Sequence, residues 1–194
     1  PSQSEIRCQK MANKLRVIGG QWRSRILTFT DTPGLRPTPV RIRETLFNWL
    51  QYDVVGSRCL DLFAGSGALG IEALSRGAKS VTQVEKDAGA CQSLRANKAQ
   101  LSAQKLRVIE MDVQQFLKRE NETFDLVFLD PPFAQGLAEV TCQALAAGAW
   151  LADHAKIYIE AERSWVLTDR PDNWQLLKDK QAGDVRYQLL QYQQ

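Results

Sequence analysis

Four acids close short apolar runs in this chain: Asp61 in "CLDLFAGSG", Glu85 in "SVTQVE", Asp112 in "RVIEMD" and Asp130 in "LVFLDPPF". A carboxylate accepts hydrogen bonds and attracts cations, so acids gathered at one edge suit a ligand offering hydroxyls, amines or positive charge. Asp130 is followed at once by Pro131, Pro132 and Phe133. That tetrapeptide suits work on the exocyclic amine of a nucleobase, a poor nucleophile because its lone pair is delocalised into the ring. Two acceptors that take its N–H hydrogens leave the lone pair aimed at a methyl donor. Asp130 offers a carboxylate oxygen and Pro131 a backbone carbonyl, which Pro132 holds in an extended conformation. Phe133 offers a face on which a base taken out of its stack can lie. The competing reading is a strand stopped by two prolines that cannot donate to a ladder.

Gly65, Gly67 and Gly70 match G-x-G-x-x-G between an expected strand and an expected helix, with Glu85 twenty residues after Gly65. Read literally this is the dinucleotide fingerprint. Its physical needs, a close backbone and an acid for a ribose, belong to any adenosine-bearing cofactor, so NAD and S-adenosylmethionine both remain open. Asp61 tilts the choice. A carboxylate before the glycines would repel a pyrophosphate seated at the helix N-terminus, whereas it would attract a sulfonium or an α-ammonium. The alternative role for Asp61 is to orient the loop itself. Asp112 is placed to accept from an adenine amino group, or else to cap the helix that follows.

These acids need a sheet to align them. The apolar runs predict strands at 58–63, 80–85, 106–111, 124–130 and 155–161, with helices over much of 67–76, 87–101, 112–119 and 135–147. Alternation of this kind implies right-handed crossovers and a doubly wound, mainly parallel α/β sheet. Two further runs around Ala182-Gly183-Asp184 predict a terminal hairpin, giving seven strands with the last antiparallel. Upstream, residues 1–12 read as a loose tail. "KLRVIGGQWRSRILTFT" reads as a hairpin joined through Gly19-Gly20, and residues 13–37 as a basic extension ahead of a domain over 38–194. A helix is expected from Thr38 as N-cap, with Pro39 at its first position, to about Tyr52.

Residues 1–50 carry nine Lys/Arg against three Asp/Glu, while the rest carries 16 against 19. A segment at +6 on a body at −3 implies a polyanionic partner, or a merely solvated surface. No apolar run approaches the ~18 residues of a membrane span. The four cysteines are scattered and His154 is the one histidine. No metal site and reduced thiols in a cytoplasm are therefore expected.

"DLFAGSGALGIEAL" resembles the S-adenosylmethionine motif of Rossmann-like methyltransferases, and "DPPF" is similar to the tetrapeptide of those that methylate amines conjugated to a π system. More narrowly, "LRVIGGQWRSRIL", "LRPTPVRIRETLFNWL" and "GDVRYQLLQY" resemble the bacterial RsmD family, which methylates the N2 amine of a guanine in 16S rRNA. The resemblance covers all but about the first dozen residues. It implies S-adenosylmethionine as cofactor, the small subunit or an assembly intermediate as partner, and a cytoplasmic monomer. Asp61, Phe63, Ala64, Gly65 and Gly67 would line the methionine end, Glu85 the ribose, Asp112 and Val113 the adenine. Thr38 and Arg41 would close the methionine pocket. Asp130 and Pro131 would orient the guanine amine, with Phe133 stacking and Pro132 beside it. Arg16, Trp22, Arg23, Arg25 and Arg36 would grip the RNA, although Trp22 has a packing role as its alternative. The rivals are an adenine-N6 methyltransferase, an NAD-dependent oxidoreductase and a non-catalytic RNA-binding module.

Overall fold

The computed structural model describes residues 12–33, 35–119 and 122–194. Apart from Ala12, the expected tail lies outside the described residues. β1 (Asn13–Arg16) and β2 (Ile26–Phe29) pair antiparallel, Arg16 opposite Ile26. They are not joined by a tight Gly-Gly turn. The connection runs from Val17 to Arg25 and contains a 3-10 turn at Gly20–Trp22. The reason is a long-range seat: the Glu72 carboxylate accepts from the backbone N–H of Ile18 (2.9 Å) and Gly19 (2.8 Å). Ser75 Oγ accepts from Trp22 N and donates to the Gly19 carbonyl.

α1 (Val40–Trp49) begins later than expected, with Pro39 rather than Thr38 at its N-cap and no side-chain cap bond. The Thr38 hydroxyl is committed elsewhere. The helix buries Leu46, Phe47 and Leu50 and exposes Arg41 and Asn48.

The remaining elements are β3 (Arg58–Leu62), α2 (Ala68–Ser75), β4 (Ser80–Glu85), α3 (Ala88–Gln100), β5 (Leu106–Glu110), α4 (Val113–Phe116), β6 (Phe124–Leu129), α5 (Leu137–Ala147), β7 (Leu151–Glu162), β8 (Trp174–Ala182) and β9 (Val185–Tyr192). The larger sheet has the order β5-β4-β3-β6-β7-β9-β8. Its first five strands are mutually parallel, and β9 is antiparallel to both neighbours. Chain order reverses between β3 and β6, where such sheets open a crevice at the strands' carboxyl ends.

Two apolar layers cover the sheet, so the central strands β3, β4 and β6 are buried on both faces, while the edge strands β5 and β8 stay largely exposed. Leu126 and Phe128 of β6 enter one layer with Phe47, Ile71 and Leu74; Val127 and Leu129 enter the other with Phe116, Leu145 and Trp150. Phe124 joins the second layer against the alternation because the β6–β7 register shifts between Phe124 and Leu126. Leu15, Val17, Leu27 and Phe29 of the small sheet belong to the first layer. Residues 13–30 thus share the core of the body they precede.

Candidate active site

The sheet order turns scattered acids into a row. From β5 to β7, the strand ends present Asp112, Glu85, Asp61, Asp130 and Glu160 in that sequence. The first four follow the expectation. Glu160 does not; it falls inside the strand expected at 155–161.

Asp61 is buried, and its Oδ2 accepts from Gly70 N (3.0 Å) and Gln83 Nε2 (3.1 Å). Orienting the loop is therefore one of its roles. Burial outweighs those two bonds and pushes its carboxyl up to about 7. Gly70 is required where it stands: a Cβ there would meet Gln83 Nε2 at 2.6 Å and Asp61 Oδ2 at 2.8 Å. The turn before α2 holds Phe63, Gly65 and Gly67 at φ 61°, 55° and 80°. A non-glycine residue in that region is strained, as is common where backbone is shaped around a ligand. Ala64 donates to the Val84 carbonyl, and Gly65 N donates to Glu85 Oε2 at 2.9 Å. Glu85 also accepts from Asp87 N, and its half-buried carboxylate keeps further acceptor sites.

Asp112 is the N-cap of α4: its Oδ1 accepts from Gln114 N (2.9 Å) and Gln115 N (3.2 Å). The capping alternative is what the structure displays, and Oδ2 is left to accept from a ligand. Val113 is buried beneath it.

Asp130 lies one residue past β6. Pro131 is buried, while Pro132 and Phe133 are exposed, Phe133 by 39%. Asp130 Oδ2 accepts from Thr38 Oγ1 at 3.2 Å, and the same hydroxyl lies 3.2 Å from Glu160 Oε2. Tyr158 donates its hydroxyl to that Oε2 at 2.9 Å. Burial first, and then the charge of Glu160, hold the Asp130 carboxyl well above the usual carboxylate range. Glu160 is raised by burial and held back by the bonds from Tyr158 and Thr38. Sequence reasoning missed Glu160; the available signal was an acid inside the apolar run "IYIEA".

The donor set suits S-adenosylmethionine better than a dinucleotide. Three strand-end acids offer sites for a cation, two hydroxyls and an amino group, and a pyrophosphate would face their charge. Glycine backbone supplies the close approach.

The basic residues fall on the outer side. Arg16, Arg23, Arg25, Arg36 and Arg41 are exposed. Arg25 reaches the Gln100 carbonyl at 3.4 Å. Trp22 is half-buried and packed against the first apolar layer. A cleft of about 460 Å³ opens between the small sheet and residues 31–33 and 35–37, with Lys14 and Arg36 on its walls. The Leu35 side chain reaches from that segment to Gly65. Arg43 points inward, donating to the Thr38 and Arg16 carbonyls and lying 3.8 Å from Glu72. Among the described residues no cluster of His, Cys, Asp and Glu could hold a metal ion, and no helix is long and apolar enough to cross a membrane.

Sheet order, crevice and acid row define a Rossmann-like methyltransferase fold, and solved structures agree. One described as a putative methyltransferase YhhF from Escherichia coli superposes with a TM-score of 0.85 at 48% identity, covering 93% of this chain and 99% of that one. The chain belongs to the RsmD family: over residues 15–191 it matches the family described as Conserved hypothetical protein 95. A relative from Escherichia coli (strain K12), named Ribosomal RNA small subunit methyltransferase D, is 49% identical over 180 residues, 93% of this chain and 91% of that one. The Thermus thermophilus 16S rRNA N2 G1207 methyltransferase (RsmC), solved with AdoMet and guanosine, superposes at 25% identity with a TM-score of 0.69. It is covered over 50% of its own length and 94% of this chain.

Proposed function

We propose that this protein transfers a methyl group from S-adenosylmethionine to the N2 amine of a guanine in 16S rRNA, acting in the cytoplasm on the small subunit or its precursor. The observation that carries the reading is the placement of Asp130, Pro131 and Phe133 at the carboxyl end of β6, beside the Asp61–Glu85–Asp112 row. The relatives' names point the same way.

S-adenosylmethionine, when bound, supplies a methyl group on a positively charged sulfur. Asp61 and the turn from Phe63 to Gly67 would hold its amino-acid end, with Thr38 and Arg41 closing that pocket. Glu85 would accept from the ribose hydroxyls, and Asp112 with Val113 would hold the adenine. Asp130 and the Pro131 carbonyl accept the two N–H groups of the guanine amine and turn its lone pair toward the methyl. Phe133 stacks on the base, with Pro132 at its edge. Positioning is the main contribution, because the sulfonium is already a good leaving group. The methylated nitrogen is cationic and gives up its proton to Asp130. Arg16, Arg23, Arg25 and Arg36 bind the RNA backbone, and the exposed part of Trp22 lies among them.

Incubation with labelled S-adenosylmethionine and unmodified 16S rRNA or small subunits, followed by nucleoside mapping, tests this. Label in N2-methylguanine at one position is expected. Asp130→Ala should lower transfer by at least about 100-fold while S-adenosylmethionine binding persists. Label in N6-methyladenine, or tight NAD binding with none to S-adenosylmethionine, would overturn the reading.

A further inference from the structure

Thr38 stands between two carboxylates with a single proton to give. Its Oγ1 is 3.2 Å from Asp130 Oδ2 and 3.2 Å from Glu160 Oε2, and Tyr158 already donates to that same Oε2. With both acids ionised, the hydroxyl satisfies one and turns a lone pair to the other. With one proton added, every contact becomes a donor–acceptor pair. Either Asp130 donates to Thr38 and Thr38 to Glu160, or Glu160 donates to Thr38 and Thr38 to Asp130. Thr38, Tyr158 and Glu160 are buried, so the conflict on the Glu160 side is not relieved by water, while Asp130 is half-buried.

We propose that Asp130 and Glu160 hold one proton between them through the Thr38 hydroxyl, and that Glu160 is the positioning residue that takes it when the substrate amine arrives. This rests on the reading of Asp130 as the acceptor of that amine. Charge and atoms balance. Protonated Asp130 gives its proton to Thr38 Oγ1 as Thr38 gives its own to Glu160 Oε2, so the pair stays at one negative charge. The charge ends on Asp130, the less buried acid, where the amine donates. After transfer, the cationic nitrogen loses its proton to Asp130, and the neutral pair sheds one proton to solvent through Asp130.

The surroundings favour a single charge. Asp61 on β3 adds negative potential at Asp130. Arg43 on α1 lies against the Thr38 carbonyl at 3.1 Å, but its charge is shared with Glu72. Tyr158 on β7, whose hydroxyl burial keeps protonated, faces Glu160, and Tyr187 on β9 pairs with Glu160 in register. Burial holds both carboxyls above their ordinary range.

Infrared titration of the protonated-carboxyl band on the full chain, without ligand, tests the pair. An Asp61→Asn background removes the carboxyl that burial pushes up to about 7. The band should persist through neutral pH, and in Glu160→Gln it should vanish at a pH lower by about one unit or more, since Asp130 then titrates alone. Tyr158→Phe, which keeps the shape, should move the midpoint upward, because ionised Glu160 loses a donor. Glutamate labelled with 13C in the carboxyl shows where the proton sits, and unmodified rRNA should increase the glutamate share of the band. An absent band, or an unmoved midpoint in both variants, would overturn the shared proton. A band that behaves as stated in a protein that never methylates guanine would leave the pair standing and remove the function proposed above.

Discussion

Asp61 carries a charge that its own surroundings oppose. Unfolded, an aspartate ionises near 4; in the fold burial pushes this one up to about 7. Between those values the native chain binds more protons than the unfolded chain. Stability from this group is therefore full below about pH 4 and is lost as pH rises through about 7. Chemical denaturation should show the wild type losing roughly 2–3 kcal/mol against Asp61→Asn between about pH 5 and about pH 8. A cation held beside Asp61 needs the ionised form, so affinity for S-adenosylmethionine should rise with pH toward about 7. Calorimetry showing a flat affinity would take Asp61 out of the pocket. The acids at strand ends were legible because each closes an apolar run. Thr38 was misread, since a local rule for helix caps cannot foresee two carboxylates 92 and 122 residues away. Asp112 does cap its helix, and one oxygen left over keeps both readings alive in one side chain.

The parallel strands emerged within a residue or two of their expected limits, because strands buried on both faces read as unbroken apolar runs. β7 starts four residues earlier than expected; Asp153 and His154 interrupt the apolar pattern there, and His154 sits at φ 60°. The first hairpin was the least legible element. Gly-Gly suggested a turn, while the conformation is set by Glu72 and Ser75 on α2. Glu72→Gln removes the charge that bonds Ile18 N, Gly19 N and Arg76 Nε and leaves buried Arg43 without its acid. A cost of about 3–5 kcal/mol is expected. Hydrogen exchange should show the Ile18 and Gly19 amides losing protection before those of the sheet. Exchange of both only with global unfolding, at wild-type rates, would mean the seat does not hold the hairpin.

Across the whole molecule, charge is divided by position in the chain: +6 over residues 1–50 and −3 over the rest. Arg23 and Arg25 are exposed in the connection between β1 and β2, which is seated on Ser75 and Gln100 at the carboxyl-terminal ends of α2 and α3. Arg36 adjoins Leu35, whose side chain reaches Gly65. If this face binds RNA, each phosphate contact releases counterions. Arg23→Ala with Arg25→Ala should then weaken rRNA binding and lower the slope of log affinity against log salt by roughly 1–2. Filter binding across a salt series measures it, and an unchanged slope would remove these arginines from the interface. The boundary expected near residue 37 is one of topology; Leu15, Val17, Leu27 and Phe29 cross it into the common core.

The seat on α2 also has a consequence in time. Ile18 and Gly19 bond an acid 54 and 53 residues further along the chain, and the Thr28 carbonyl accepts from Asn97 at a separation of 69. During synthesis the basic segment emerges long before Glu72, Ser75 and Asn97 exist to receive it. It must stay unseated until α2 and α3 have been made. A nascent chain therefore acquires its proposed grip on RNA no earlier than the helices that receive it.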